Sequence, residues 1–321
     1  MRNLHLLLAV TGLAFSVLAQ AQPYPAKPVK IITSFLPGSS IDVTARTIAQ
    51  KLSDTWRQTV TVENRPGGGG TGSVGADFVA KSPADGYTWL LAPNSVMIIG
   101  PHLVKAPFDV FKDFTPVGQV AIIPFFLVVI PSVPAKTVAE LVAYAKANPR
   151  KLNYASMGNG SPHHLGSELI KRSSGIDMVH VPYKGASQAI TDLLGNRVQV
   201  FVGAASSLLP YIRDGKLKLL ASAGDKRLPA FPDVPTVAET LPGVVVDAWL
   251  GVFMPTGVAK EIISKVNADI SSALNTPEMK ASLTGQGIEV ATSSPEALAT
   301  TMRNDYARWG RLIQEAGIKA D

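Results

Sequence analysis

Short β-branched runs alternate with stretches of helical period along this chain. Residues 29–34 read as a strand, a turn covers 35–40, and apolar positions recur at helical spacing from 41 to 56. The same unit returns. Strands are predicted at 59–63, 88–92, 152–155, 178–181, 198–202 and 217–221, and helices at 73–81, 138–147, 162–173, 187–194 and 208–214. Strands that alternate with helices imply an α/β architecture with parallel pairing, because each helix carries the chain back across the sheet face. Gly195 and Gly215 close two of these helices as ordinary punctuation.

Two passages break the alternation. From 116 to 134 the chain is strongly apolar and interrupted by prolines, and 222–242 is irregular and Pro-rich. Read as crossings between lobes, they divide the chain into a discontinuous first lobe (22–120 with 224–321) and a second lobe (121–223), with a ligand cleft between them. Length points the same way, since 321 residues exceed what one core usually organises.

The beginning of the chain has its own pattern. Met1-Arg2 precedes an apolar stretch over 4–19 that ends in Ala19-Gln20-Ala21, so residues 1–21 read as a secretory signal and Gln22 as the first mature residue. The stretch falls short of the ~20 residues a membrane span needs, as does the apolar run 120–130, which Pro124 interrupts. The chain has no cysteine, so an exported protein of this sequence is held together by packing alone. Its formal net charge is +6, and Arg2 leaves with the signal. The bases are scattered, without a Lys/Arg run or aromatic-basic stripe, which argues against nucleic acid and suits small anions.

Gly70, Gly72 and Gly75 spell G-x-G-x-x-G between a predicted strand and helix, where a dinucleotide-binding turn would sit. That chemistry also needs an acidic residue at the end of the next strand, and here 88–92 runs into Pro93-Asn94-Ser95. No cofactor is expected.

Two other strand-to-helix junctions resemble anion cradles, because unpaired helix N–H groups and the helix dipole favour a carboxylate or phosphate there. In Phe35-Leu36-Pro37-Gly38-Ser39-Ser40-Ile41-Asp42, Ser40 has two readings, a ligand contact and an N-cap, and Asp42 with Arg46 reads as a surface pair in the first turns. In Met157-Gly158-Asn159-Gly160-Ser161-Pro162-His163-His164, Ser161 is placed as N-cap and Pro162 at the first helical position. His164 is the ligand candidate, as a neutral imidazole near the positive end of a helix, and His163 is assigned to the surface. No metal site is expected, since adjacent histidines diverge and no carboxylate or cysteine completes a shell. Asn94-Ser95 and Ala204-Ala205-Ser206-Ser207 end strands on small polar residues, where α/β sheets place ligands. Lys184, after Tyr183, has the two readings of ligand contact and solvated charge. The chain lacks a G-x-S-x-G elbow, a P-loop lysine and an H-E-x-x-H helix. The alternative function is a secreted α/β enzyme, a serine hydrolase using Ser161 and His164 or an NAD-dependent oxidoreductase.

Together these motifs resemble the tripartite tricarboxylate transporter receptor family, the solute-binding proteins called Bug receptors. The resemblance runs through Tyr24-Pro25 and Lys27-Pro28-Val29-Lys30-Ile31-Ile32, Pro37-Gly38 with Asp42 and Ala45-Arg46, and Val62-Glu63-Asn64-Arg65-Pro66-Gly67. It continues through Lys112-Asp113-Phe114-Thr115-Pro116-Val117, Gly158 and Gly160-Ser161 with His164-Leu165, and His180-Val181-Pro182-Tyr183-Lys184-Gly185. Pro232-Asp233-Val234-Pro235-Thr236 and Trp249 with Gly251 complete it, so that it covers nearly the whole mature chain.

The resemblance implies a two-lobed periplasmic binding protein of the Venus-flytrap, type II-like kind, each lobe a mainly parallel sheet flanked by helices, without catalysis. It implies a small carboxylate ligand (a dicarboxylate, an amino acid or an aromatic acid), periplasmic location, and a monomer read by the membrane subunits of a tripartite tricarboxylate transporter or by a sensor kinase. Carried onto this chain, the ligand-binding set is Phe35, Gly38, Ser39, Ser40, Gly72, Ser73, Asn94, Ser95, Gly160, Ser161, His164, Ala204, Ala205 and Ser206, with Asp42 and Tyr183 supporting it. Many members have Gly-Gly where this chain has Gly38-Ser39, which leaves the effect of the extra hydroxyl open.

Overall fold

In the computed structural model, which describes residues 24–67 and 72–319, the predicted alternation becomes two sheet halves sharing one long strand. The residues read as a signal, 1–21 with Gln22, and four residues of the glycine run, Gly68 to Thr71, lie outside the described residues.

The first half begins with β1 (Val29–Thr33), α1 (Ser40–Trp56), β2 (Val60–Asn64), α2 (Ser73–Ala80) and β3 (Thr88–Pro93). A π-helical turn (Ser95–Ile99) and α3 (Gly100–Leu103) lead to β4 (Phe114–Val129). The second half holds α4 (Val138–Ala147), β5 (Asn153–Ser156), α5 (Pro162–Ser174), β6 (Val179–Pro182), α6 (Ala186–Leu194), β7 (Val200–Ala204), α7 (Ala205–Arg213) and β8 (Lys218–Ser222). The chain then runs through α8 (Val237–Thr240) into β9 (Asp247–Pro255), α9 (Lys260–Leu274), α10 (Pro277–Gly285), β10 (Glu289–Val290) and α11 (Pro295–Ala316).

Strand order is β2-β1-β3-β9-β4-β7-β5-β6, with β8 and β10 also pairing β4. β1 pairs β2 and β3 in parallel, and β5 pairs β6 and β7 in parallel, so the βαβ signal is realised in both halves. Antiparallel β9 and β4 extend the first set, and antiparallel β4 and β8 extend the second. β4 changes partners midway. Its residues up to Pro124 pair β9, and those from Phe125 onward pair β7 and β8.

The periodicity does not announce β4, β9 or the three C-terminal helices. β4 and β9 are buried on both faces along most of their length, so neither shows the alternation that marks a half-exposed strand. Pro116 falls at a shift of register and Pro124 at the change of partners, positions where a strand tolerates a residue that cannot donate to the ladder. The C-terminal segment returns to the first half: Leu298, Met302 and Trp309 of α11 share a buried cluster with Leu90, Trp249 and Phe253. Tyr154, Phe126 and Phe201 are buried in the larger core. Among the described residues no helix is long and apolar enough to cross a membrane.

Candidate functional site

The helices of both halves start where strands end, and several of these starts converge. At the first junction Ser39, in extended backbone, caps α1, and its Oγ accepts the Asp42 N–H at 3.2 Å. The cap is therefore Ser39, one residue before the serine considered from sequence. Ser40 is freed from that task, and its Oγ lies 3.3 Å from Ser206 Oγ on the opposite half. Gly38 donates its N–H to Asp42 Oδ2 at 2.9 Å, so that donor is committed inside the turn. The Ser40 and Ile41 N–H groups, the first two of the helix, have no intramolecular acceptor among the described residues.

Asp42 organises this cradle instead of decorating a surface. Its side chain is 3 % exposed and meets Arg46 Nε at 3.0 Å, while Asn64 Nδ2 donates to Oδ1 at 2.8 Å. Burial pushes the carboxyl upward, but hydrogen bonds from Arg46, the Gly38 N–H and Asn64 outweigh it and hold the group below the usual carboxylate range. Asn64 also donates to the Phe35 carbonyl and accepts from Arg46, which stitches β2 to the turn.

Gly72 lies against this cradle. It caps α2 at φ +61°, and a side chain there would strike Val96 and Ser34, so only glycine permits the approach. Gly75 rests on Ser34 in the same way, while Gly70 lies outside the described residues. Ser73 and Ser95 are half-exposed beside it. Asn94 is fully buried and donates to the Asp247 carbonyl at 3.0 Å, tying β3 to β9 behind the cleft.

The second junction repeats the first in outline. Ser161 caps α5, accepting the His164 N–H at 3.3 Å and donating to the Gly158 carbonyl at 2.8 Å. Gly160, at φ +74° with Leu103 packed where a side chain would stand, donates its N–H to His164 Nδ1 at 3.0 Å. The neutral His164 ring therefore carries its proton on Nε2. Its face stacks on His180 at 4.2 Å, and His180 stacks on Tyr154 at 4.9 Å. His180 Nε2 also meets Ser156 Oγ, which accepts the Gly158 N–H. Sequence reasoning noted the His180 block only as part of the resemblance and missed this bracing role.

His163 is not on the surface. Its ring lies parallel to Phe201 at 5.5 Å and beside Phe125 at 5.0 Å, with Nδ1 buried and unpaired. Burial pushes its imidazole down to about 4. The cause is register: Pro162 starts the helix, so His164 turns toward Gly160 and the preceding histidine faces the sheet.

Ala204 ends β7 and Ala205 starts α7 with no loop between them, one turn earlier than the periodicity suggests. The helix start thus sets Ser206 opposite Ser40, with Ala205 buried beside it. Tyr183 supports the second cradle from behind, donating its N–H to the Ser156 carbonyl and its hydroxyl to Asp192 at 2.9 Å. Lys184 is exposed.

Ser161 and His164 do not form a nucleophile and base. The serine hydroxyl donates to a carbonyl and accepts a backbone N–H, while the imidazole Nδ1 is occupied by Gly160. Among the described residues no group of three or more His, Cys, Asp or Glu is arranged to hold a metal.

Comparison with known proteins agrees with this architecture. The chain is 35% identical over 325 residues to protein BugT of Bordetella pertussis, covering 99% of each chain. Among solved structures it resembles Rpa4515 of R. palustris with adipate (33% identity, TM-score 0.81, 92% of this chain and 99% of that one). It also resembles MatC of Rhodopseudomonas palustris with bound malate (30% identity, TM-score 0.76, 90% of this chain and 100% of that one). A family model described as tripartite tricarboxylate transporter family receptor (TctC) matches residues 44–318. The chain belongs to this family of periplasmic solute-binding receptors, which bind and do not catalyse.

Proposed function

We propose that the cleft captures a small carboxylate, with one carboxylate group on the Ser40 and Ile41 N–H groups and the opposite side of the ligand met by Ser161, His164 and Ala205. The observation that carries this reading is the pair of unengaged N–H groups at the α1 start, which meets the uncapped start of α7 through a Ser40–Ser206 contact. Two adjacent donors at the positive end of a helix match the two oxygens of a carboxylate without burying a counter-charge, so the ligand is oriented yet can leave. The adipate and malate bound by two relatives support the ligand class.

The lobes of this receptor are 22–120 with 224–321 and 121–223, and the partner change in β4 at Pro124 and Phe125 supports that division. Ligand bridging the lobes favours a closed monomer in the periplasm, after removal of residues 1–21. The membrane subunits of a tripartite tricarboxylate transporter, or a sensor kinase, read that state. A thermal-shift screen of dicarboxylates, amino acids and aromatic acids tests the reading. At least one should stabilise the protein by about 2.7 kcal/mol at a hundredfold excess over its Kd; a folded protein with a flat response to the whole panel would exclude it.

A further inference from the structure

The two sheet halves meet at a second hollow, apart from the cradles. It is an open-mouthed hollow of ≈ 80 Å³ between α7, the 228–231 loop and the segment joining α10 to β10. Leu209, Leu228, Phe231 and Ile288 make its walls apolar, and Glu289 is the one charged residue among those that line it. Among the described residues no Lys, Arg or His forms an ion pair with Glu289. Burial and the neighbouring carboxylate of Asp225 both push its carboxyl above the ordinary range, so the site has unbalanced negative charge beside apolar surface.

An apolar hollow with a small number of polar groups, here Thr284 and Glu289, is the usual form of a small-molecule site. The charged one is an acid, and the complementary ligand has a cationic head on an apolar body. We propose that this hollow binds a small organic amine, its aliphatic or aromatic body against Leu209 and Phe231 and its ammonium group on Glu289. The site goes beyond the carboxylate cleft, yet it shares a helix start with it. Ala205 lines the hollow, and Gly287 of the same wall packs on the backbone of Ser206.

Benzylamine titrated into the protein and followed by NMR tests the proposal. The expected result is saturable shifts confined to residues 205–209, 228–231 and 284–289. Benzyl alcohol, the same shape without the charge, should bind at least about 10-fold more weakly, and Glu289→Gln should weaken benzylamine by about the same factor. Ala230→Trp, which fills the mouth from an exposed position, should abolish binding, whereas Ser161→Ala in the cleft should leave it unchanged. No saturable shift in the unaltered protein would overturn the proposal, as would benzylamine binding that ignores Glu289→Gln and Ala230→Trp. Carboxylate titrations on the same samples report separately on the cleft, so failure of one site is distinguishable from failure of the other.

Discussion

The two cradles are built on one five-residue plan and differ in the side chain that accepts the glycine N–H and in the residue that starts the helix. Gly38-Ser39-x-x-Asp42 and Gly160-Ser161-x-x-His164 each place a left-handed glycine before a serine cap. In each, the glycine N–H is given to a side chain four residues on, and the serine hydroxyl accepts that residue's own N–H. In the first the acceptor is a carboxylate, which Arg46 and Asn64 balance. In the second it is an imidazole stacked on His180 and Tyr154. The first helix leaves the N–H groups of residues 40 and 41 unengaged, whereas Pro162 at the start of the second has none to offer. One turn geometry thus yields a helix start with two unengaged donors on one side and an aromatic stack on the other.

The largest expected effect tests whether Asp42 organises the first turn. Asp42→Ala leaves the Gly38 N–H and Arg46 Nε without an acceptor, removes one of the two acceptors of the Asn64 amide, and should cost about 3 kcal/mol in denaturant unfolding. A loss below about 1 kcal/mol would make the carboxylate incidental.

Acid should separate the two sides. His163 is held neutral with a folded pKa depressed to about 4, so between its ordinary value and 4 the unfolded chain binds more protons and stability falls with falling pH. The full loss is about 3 kcal/mol. Asp42, whose pKa is lowered, contributes stability that persists until the pH falls through the carboxylate range. Asp247 runs the other way. Burial, with Asp305 nearby, raises it to about 6, so its ionisation costs stability as pH rises toward that value. Comparing the unaltered protein with His163→Phe at pH 7 and pH 4.5 isolates the imidazole. Equal slopes would show that His163 is not buried as a neutral ring.

His164→Phe keeps the stack on His180 but removes the acceptor of the Gly160 N–H. It should cost about 1–2 kcal/mol in thermal unfolding and weaken carboxylate binding, whereas a change confined to binding would mean that the turn holds without it. The smallest difference lies in the caps. Ser161→Ala should cost about 1 kcal/mol, but Ser39→Gly, which installs the residue common at that site in similar receptors, only a few tenths. Carboxylate affinity measured by calorimetry should be unchanged in Ser39→Gly, because that hydroxyl already serves Asp42; a marked loss would place Ser39 on the ligand.

The strand-to-helix junctions that make up the candidate site were legible along the chain. Proline-glycine turns, serine caps and small residues at strand ends are local signals, and they marked the α1, α5 and α7 starts before any packing was known. The burial of Asp42 and of His163 was not legible. A buried acid and an exposed one have the same spacing from Arg46, and only the approach of Asn64 from β2 distinguishes them. His163 and His164 differ in sequence by one position, yet the helix register sends one to Phe201 and the other to Gly160.

The sequence by itself determined the α/β alternation and the Ser161 cap, because each depends on residues within a turn or two of one another, and the lack of cysteine rules out disulfides. Tertiary structure decided what pairs across distance: β4 as the strand both halves share, β9 and α11 returning to the first half, and Ser40 facing Ser206. Those contacts join residues far apart in the chain, and a strand buried on both faces carries no periodic mark. Its place is set by the surfaces that close around it.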